Sequence, residues 1–285
     1  MNLIIDGVEI DLKKLGIDFT PNDEQIAALN HLAEFMYTDD LTTVLSGGAG
    51  VGKTSIVKIF LEYVRIKHKN QVRLVAPTHK AKAVLSRLSN NSFATTLHKL
   101  LGLRPNLNII EFDAKDMQFL DSLVIDLFET PKDLIVVDEC SMVNDFLYDL
   151  LIKKMNGKGK ILFIGDHKQI SPVKQDEIAK VFTNTDFPAF TLTKVERQQG
   201  NPLLDTLVKL RDSEMTEYET NVKSGKGIIS HKMPSFKEAL MESFFSLESL
   251  NASPQGTKIL AYTNDRVSAY NTLVRKLMGC NRKPI

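Results

Sequence analysis

Short uninterrupted apolar runs alternate along this chain with longer stretches in which apolar residues recur every three or four positions. The runs at 42–46, 71–76, 134–137 and 160–164 read as strands buried on both faces. The stretches at 20–37, 55–68 and 79–88 carry helical spacing, so strand and helix take turns. That rhythm predicts an α/β fold whose core is a parallel sheet flanked by helices.

Outside that rhythm the pattern is weaker. Residues 1–19 form a lead-in: a short strand at 3–5, a turn at Asp6-Gly7 and an amphipathic stretch ending at Phe19. A capping residue, a proline in the first turn and acids announce the helix that starts within 20–25. From Pro105 to Pro131 the alternation breaks, and segments 108–112 and 117–120 are spaced to pair as a small hairpin. Residues 200–256 show helical spacing only near 202–211 and 236–245, with polar loops around Gly225 and Gly227. A new strand–helix unit follows at 257–262 and 265–277.

The candidate chemistry sits at the carboxyl ends of the expected strands. Gly47-Gly48-Ala49-Gly50-Val51-Gly52-Lys53-Thr54, followed by Ser55, fits a P-loop placed between a strand and a helix, as the motif requires. Its glycines let backbone N–H groups turn inward, Lys53 reaches the β/γ-phosphates, and the Thr54 hydroxyl can hold Mg²⁺. The run at 134–137 ends in Asp138-Glu139; Asp138 is expected to hold the metal and Glu139 to orient and deprotonate water, strand alternation sending the two side chains apart.

In an open parallel sheet, ligands lie beyond the strands' carboxyl ends, which places further residues on the same rim. Gln169, in Gly165-Asp166-His167-Lys168-Gln169, is positioned to sense a γ-phosphate or its water. Arg197 follows a short strand and is a candidate arginine finger. Gln25, about twenty residues ahead of the P-loop, carries an amide that can both donate to and accept from an adenine edge. Thr78, His79 and Lys80, then Thr96 and His98, bring hydroxyl, imidazole and amine together as phosphate contacts.

Composition changes the picture in two places. The 285 residues are 43% hydrophobic and 25% charged, ordinary for a soluble globular chain, and the net charge is only +1. That total hides an asymmetry: 53–104 holds eleven Lys/Arg against one acid, and 105–150 holds two against eleven. A basic segment is what a surface facing phosphates needs, whereas the acidity of the insertion argues against its tracking a nucleic-acid backbone. Cys140 and Cys280 form no C-x-x-C pair, so neither a disulfide framework nor a structural zinc site is indicated. The N-terminus carries acids where a signal peptide has lysines, no apolar run reaches the ~18 residues of a membrane span, and a cytoplasmic location is expected.

Together these segments resemble superfamily-one DNA helicases of the RecD-like and Dda-like kind, over about 20–276. Gly47 to Thr54 looks like motif I, Ala76 to Lys82 like motif Ia and Thr95 to His98 like motif Ib. Val137 to Met142 is similar to motif II, Gly165 to Val173 to motif III, and Leu192 to Gln198 to motif IV. The resemblance implies a RecA-like domain that hydrolyses ATP with Mg²⁺ and moves 5′ to 3′ on single-stranded DNA, opening single/double-strand junctions. Lys53, Thr54, Asp138, Glu139, Gln169 and Arg197 would form the hydrolytic set, with Gln25 reading adenine. Thr78, His79, Lys80, Thr96 and His98 would grip the DNA, joined by Thr263 and Asn264 from a second domain. DNA replication, repair or recombination, with protein partners from those processes in a bacterial or phage-infected cell, would be the setting.

On this basis residues 20–200 are the ATPase domain, with a small inserted subdomain at 103–131 that carries the strand-separating pin, and 201–285 begin a second RecA-like domain. The chain departs from the family in lacking the T-x-H-K-x-Q-G and V-x-x-T-R segments with which the second domain closes the ATP site. It is therefore expected to be a fragment, or the product of a split or decayed gene, that binds MgATP without unwinding DNA. The alternative is a nucleotide-regulated, non-catalytic single-stranded DNA-binding remnant; a third is a P-loop ATPase acting on something other than nucleic acid.

Overall fold

Strands β1 (Asn2–Ile5) and β2 (Val8–Asp11) open the chain as an antiparallel hairpin. Its turn, Asp6-Gly7, has φ of 45° and 73°, the paired positive angles whose twist matches a two-residue hairpin. The lead-in thus holds a second strand that the sequence reading did not include, although Asp-Gly between alternating apolar residues signals it. Asp6 accepts hydrogen bonds from the hydroxyls of Tyr37 (2.6 Å) and Tyr63 (2.9 Å), which hold its carboxyl below the usual range and tie the hairpin to the body.

The computed structural model describes residues 1–69, 71–78, 94–103, 133–155, 157–169, 178–184 and 186–195, and further residues 209, 211, 221–223, 226–229, 238, 239, 242, 259–261 and 263–277. It forms two compact units, Met1–Glu214 and Met215–Ile285. The hairpin expected at 108–120 and the helix expected at 79–88 lie outside the described residues.

Helix α1 (Asp23–Phe35) starts from a capping box at Asn22: its side chain accepts from the Gln25 N–H at 2.9 Å, and the Gln25 side chain accepts from the Asn22 N–H at 3.1 Å. Pro21 precedes the cap instead of occupying the first turn. The chain then runs through β3 (Thr42–Gly47), α2 (Lys53–Lys67), β4 (Val72–Ala76), β5 (Ala94–Thr96), α3 (Leu97–Leu100) and β6 (Leu134–Val137). It continues through a 3₁₀ turn at Cys140–Met142, then α4 (Asp145–Met155), β7 (Lys160–Gly165), α5 (Lys180–Thr183) and β8 (Ala189–Leu192).

Six strands form one parallel sheet in the order β5-β4-β6-β7-β3-β8. Both faces are covered, which is why β6 and β7 read as continuous apolar runs. Leu134, Val136, Leu162 and Ile164 join the core packed with α1, α2 and the hairpin. Their neighbours Ile135, Val137, Ile161 and Phe163 turn to the other face, with Leu147 and Leu151 of α4 and Leu97 of α3. Lys160 is buried at the start of β7 because its ammonium donates to the carbonyls of Thr38 (2.8 Å) and Asp40 (2.7 Å).

In the second unit β9 (Asn221–Lys223) and β10 (Lys226–Ile228) pair antiparallel, and α6 spans Asn264–Leu277. The strand expected at 257–262 does not form across its described residues Ile259 to Ala261, and Leu260 is 89% exposed. An apolar run becomes a strand only beside a partner, and among the described residues of this unit the one sheet is the β9–β10 hairpin.

Candidate nucleotide-binding site

Beyond the carboxyl ends of β3, β6 and β7 lies a cavity of about 520 Å³. Gly48, Ala49, Gly50, Gly52, Lys53, Thr54 and Ser55 line it together with Gln25, Asp138, Glu139 and Gln169. Helix α2 begins on this cavity from Gly52, which supplies no side-chain cap, and its first turn contains no acid. Helix α1, by contrast, starts with Asp23, Glu24 and a full capping box. The α2 N-terminus, with positive dipole and uncapped N–H groups, is the one built for an external anion.

Gly52 sits at φ 93°, and a Cβ there would come within 2.5 Å of the Gln25 amide nitrogen, so this position demands glycine on two counts. Gln25 is buried and donates to the Val51 carbonyl at 3.0 Å while its oxygen serves the α1 capping box. It therefore braces the loop as well as facing the cavity. The Lys53 ammonium donates to the Gly47 carbonyl and, at 2.9 Å, to that of Gly48. Burial pulls its pKa down, against the opposing pull of Asp166, Glu139 and Asp138.

Asp138 and Glu139 follow β6, but strand alternation does not separate them. The strand ends at Val137, and Glu139 adopts a left-handed conformation, φ 54° and ψ 42°, that turns the chain into the 3₁₀ segment. Only Asp6, Lys69 and Glu139 among the described non-glycine residues have positive φ, and Glu139 is the one on the cavity. Such a conformation costs about 1 kcal/mol or more and persists where the surroundings enforce it. Asp138 accepts from the Glu139 N–H at 2.9 Å; burial, reinforced by the neighbouring Glu139, pushes its carboxyl up to about 6.

Two residues to which the sequence reading gave no role hold parts of the site region in place. The Ser141 hydroxyl donates to the Gln169 side-chain oxygen at 3.1 Å, fixing the orientation of that amide at the cavity wall. Glu24 accepts from the N–H groups of Thr193 and Lys194, both at 2.9 Å, and from the Thr193 hydroxyl at 2.7 Å. It anchors the segment leaving β8 at Thr193 and Lys194. Arg197 lies outside the described residues. Burial works to raise the Glu24 pKa, but these bonds outweigh it and hold the carboxyl low. Neither partner had a sequence signal beyond being polar and close to a motif.

The expected nucleic-acid contacts divide. Thr78 follows β4, and Thr96 pairs with Ala76 at the end of β5, so both stand at the carboxyl ends of two neighbouring strands. Thr96 is buried, and its hydroxyl accepts from the Lys99 N–H at 3.3 Å to cap α3. His98 is half-buried, which lowers its pKa. His79 and Lys80 lie outside the described residues. Thr263 is exposed and accepts from the Arg266 N–H at 3.3 Å, capping α6, whose first residue is Asn264; both belong to the second unit.

A parallel sheet covered on both faces, with a phosphate loop between β3 and α2 and adjacent carboxylates after β6, defines a P-loop nucleotide-binding protein of RecA-like fold. The chain belongs to the AAA domain family, whose model matches residues 20–231. It is 30% identical over 236 residues to the ATP-dependent DNA helicase dda of Enterobacteria phage T4, covering 81% of this chain and 51% of that protein. The RecBCD enzyme subunit RecD of Buchnera aphidicola (strain Sg) is 25% identical over 70% of this chain and 36% of its own length. The ATP-dependent DNA helicase Pif1 of Campylobacter jejuni is 26% identical over 72% and 45%. The crystal structure of Pif1 helicase from Candida albicans superimposes with a TM-score of 0.55 at 20% identity, covering 94% of this chain and 56% of that one, and shares the fold. The chain spans about half the length, or less, of these relatives.

Proposed function

We propose that this chain is the ATP-binding portion of a DNA helicase or translocase that couples ATP hydrolysis to movement on single-stranded DNA. The observation that carries the reading is the cavity on which Lys53, Thr54, Asp138, Glu139 and Gln169 converge beneath the uncapped start of α2. Gly47 to Ser55 would wrap the phosphates and Gln25 the adenine. Thr54 and Asp138 suit Mg²⁺, since one hydroxyl and one carboxylate on a shared cavity, with phosphate and water oxygens, make the oxygen set that ion prefers. A carboxyl pushed up to about 6 by burial is also one that a bound cation would relieve. Bound there, Mg²⁺ would neutralise charge developing on the terminal phosphate.

In this reading Glu139 takes a proton from the attacking water, Gln169 (held by Ser141) orients that water or the phosphate, and Arg197 supplies the second cation. Thr78, His79, Lys80, Thr96 and His98 contact the DNA backbone from 20–200, and Thr263 and Asn264 do so from 201–285. Single/double-strand junctions would be the substrate, and replication or recombination proteins the partners. No helix among the described residues is long and apolar enough to cross a membrane, and a DNA motor would work in the cytoplasm of a bacterial or phage-infected cell.

The relatives' names favour DNA, and the DNA-contact part of the reading is tested by equilibrium binding of a single-stranded oligonucleotide across a salt series. Log K is expected to fall linearly with log salt, with a slope of about −0.7 for each phosphate contacted. An affinity without salt dependence would instead point to a P-loop ATPase that acts on another substrate.

A further inference from the structure

We propose that Arg211 is a further ligand for the terminal phosphate of the nucleotide, carried over the phosphate loop by Asp166; this inference rests on the nucleotide reading above. Arg211 lies in the stretch where the sequence shows no motif, yet its side chain lies against the phosphate loop at Gly48. Its Nε donates to Asp166 Oδ2 at 3.1 Å and its Nη2 to Oδ1 at 3.0 Å, a two-bond fork. Asp166 is nearly buried, with 4% of its side chain exposed against 28% for Arg211. Burial tends to raise the Asp166 pKa, and the guanidinium prevails in holding it low.

The position of the guanidinium relative to the loop gives the pair a function beyond fastening. A Cβ on Gly48 would stand 3.0 Å from Arg211 Nε and 3.4 Å from its Cζ, so the guanidinium lies against the loop backbone at that glycine. The Lys53 ammonium donates to the Gly47 and Gly48 carbonyls, which puts two cations beside Gly48. Lys53 is the P-loop residue that reaches the β/γ-phosphates, so Gly48 marks the terminal-phosphate end of the loop. Asp166 is the positioning residue: it sets the fork and offsets the repulsion between two cations held this close. Two oxygens of a phosphate accept from a guanidinium in the same planar, bidentate way as the two of a carboxylate.

An ion pair that only fastens the 209–211 segment would support all nucleotides alike, whereas a terminal-phosphate ligand separates triphosphate from diphosphate. The test is equilibrium binding of Mg·ADP and of the magnesium complex of the β,γ-imido analogue of ATP to the full chain, for the unsubstituted protein, Arg211→Ala and Arg211→Lys, with melting temperatures in parallel. Arg211→Ala is expected to weaken the triphosphate analogue about tenfold while ADP stays within about twofold. Arg211→Lys, which keeps the charge but not the fork, should fall between. If Arg211→Ala does not fold, the same triphosphate-to-diphosphate ratio read on Arg211→Lys decides. Equal losses for both nucleotides, or none for either, would overturn the role of Arg211 while leaving the P-loop reading intact. Failure of the unsubstituted chain to bind either nucleotide would bring down that reading, and this inference with it.

Discussion

Lys53→Ala is expected to weaken MgATP binding about a hundredfold, with the fold unchanged. The ammonium is held by the carbonyls of Gly47 and Gly48 at the mouth of α2, within reach of the β/γ-phosphates. Burial of this lysine is costly, since desolvation pulls its pKa down, and three carboxylates offset that cost. Alanine would leave the phosphates facing Asp138 and Glu139 without the lysine that screens them. A charge-assisted bond of this kind contributes about 1.5–3 kcal/mol, and the upper part of that range, at tenfold per about 1.4 kcal/mol, gives the hundredfold figure. Titration with a fluorescent nucleotide, alongside a thermal melt, checks it; unchanged affinity would mean that phosphate binds elsewhere.

The second large effect belongs to Glu139. Glu139→Gln keeps the volume and the left-handed backbone but removes the proton acceptor, so turnover should drop by about 10² to 10⁴ while MgATP affinity stays within a few fold. That split separates a chemical role from a binding role. Affinity falling in step with turnover would show that the side chain binds nucleotide rather than acting on water. The turn geometry matters here: Glu139, the left-handed residue that follows the strand end, and Asp138 both line the cavity.

The parallel sheet was legible because strands buried on both faces leave continuous apolar runs, and Leu134–Val137 and Lys160–Gly165 are of that kind. The phosphate loop was legible because glycine, lysine and threonine at fixed spacing have few other uses. Residues that work through tertiary contact left no such trace. Glu24 is 169 residues from Thr193, and Asp166 is 45 from Arg211, so no local pattern joins either pair. Ser141 differs, since it adjoins the motif-II carboxylates and could have been suspected from its place there. Strand β2 was missed although Asp6-Gly7 and the alternation Val8-Glu9-Ile10-Asp11 signal it. The opposite error, strand expected across 259–261, came from reading β propensity where pairing decides.

Nucleotide and DNA must be coupled if this chain is half of a motor, and one measurement addresses that coupling directly. It is the rate of MgATP hydrolysis by the 285-residue chain with and without a single-stranded oligonucleotide, compared between the unsubstituted protein and Lys53→Ala. Hydrolysis that DNA stimulates and Lys53→Ala abolishes is the expected result. Oligonucleotide binding indifferent to ATP and to that substitution, with no stimulated hydrolysis, would contradict it and leave a DNA-binding remnant in its place.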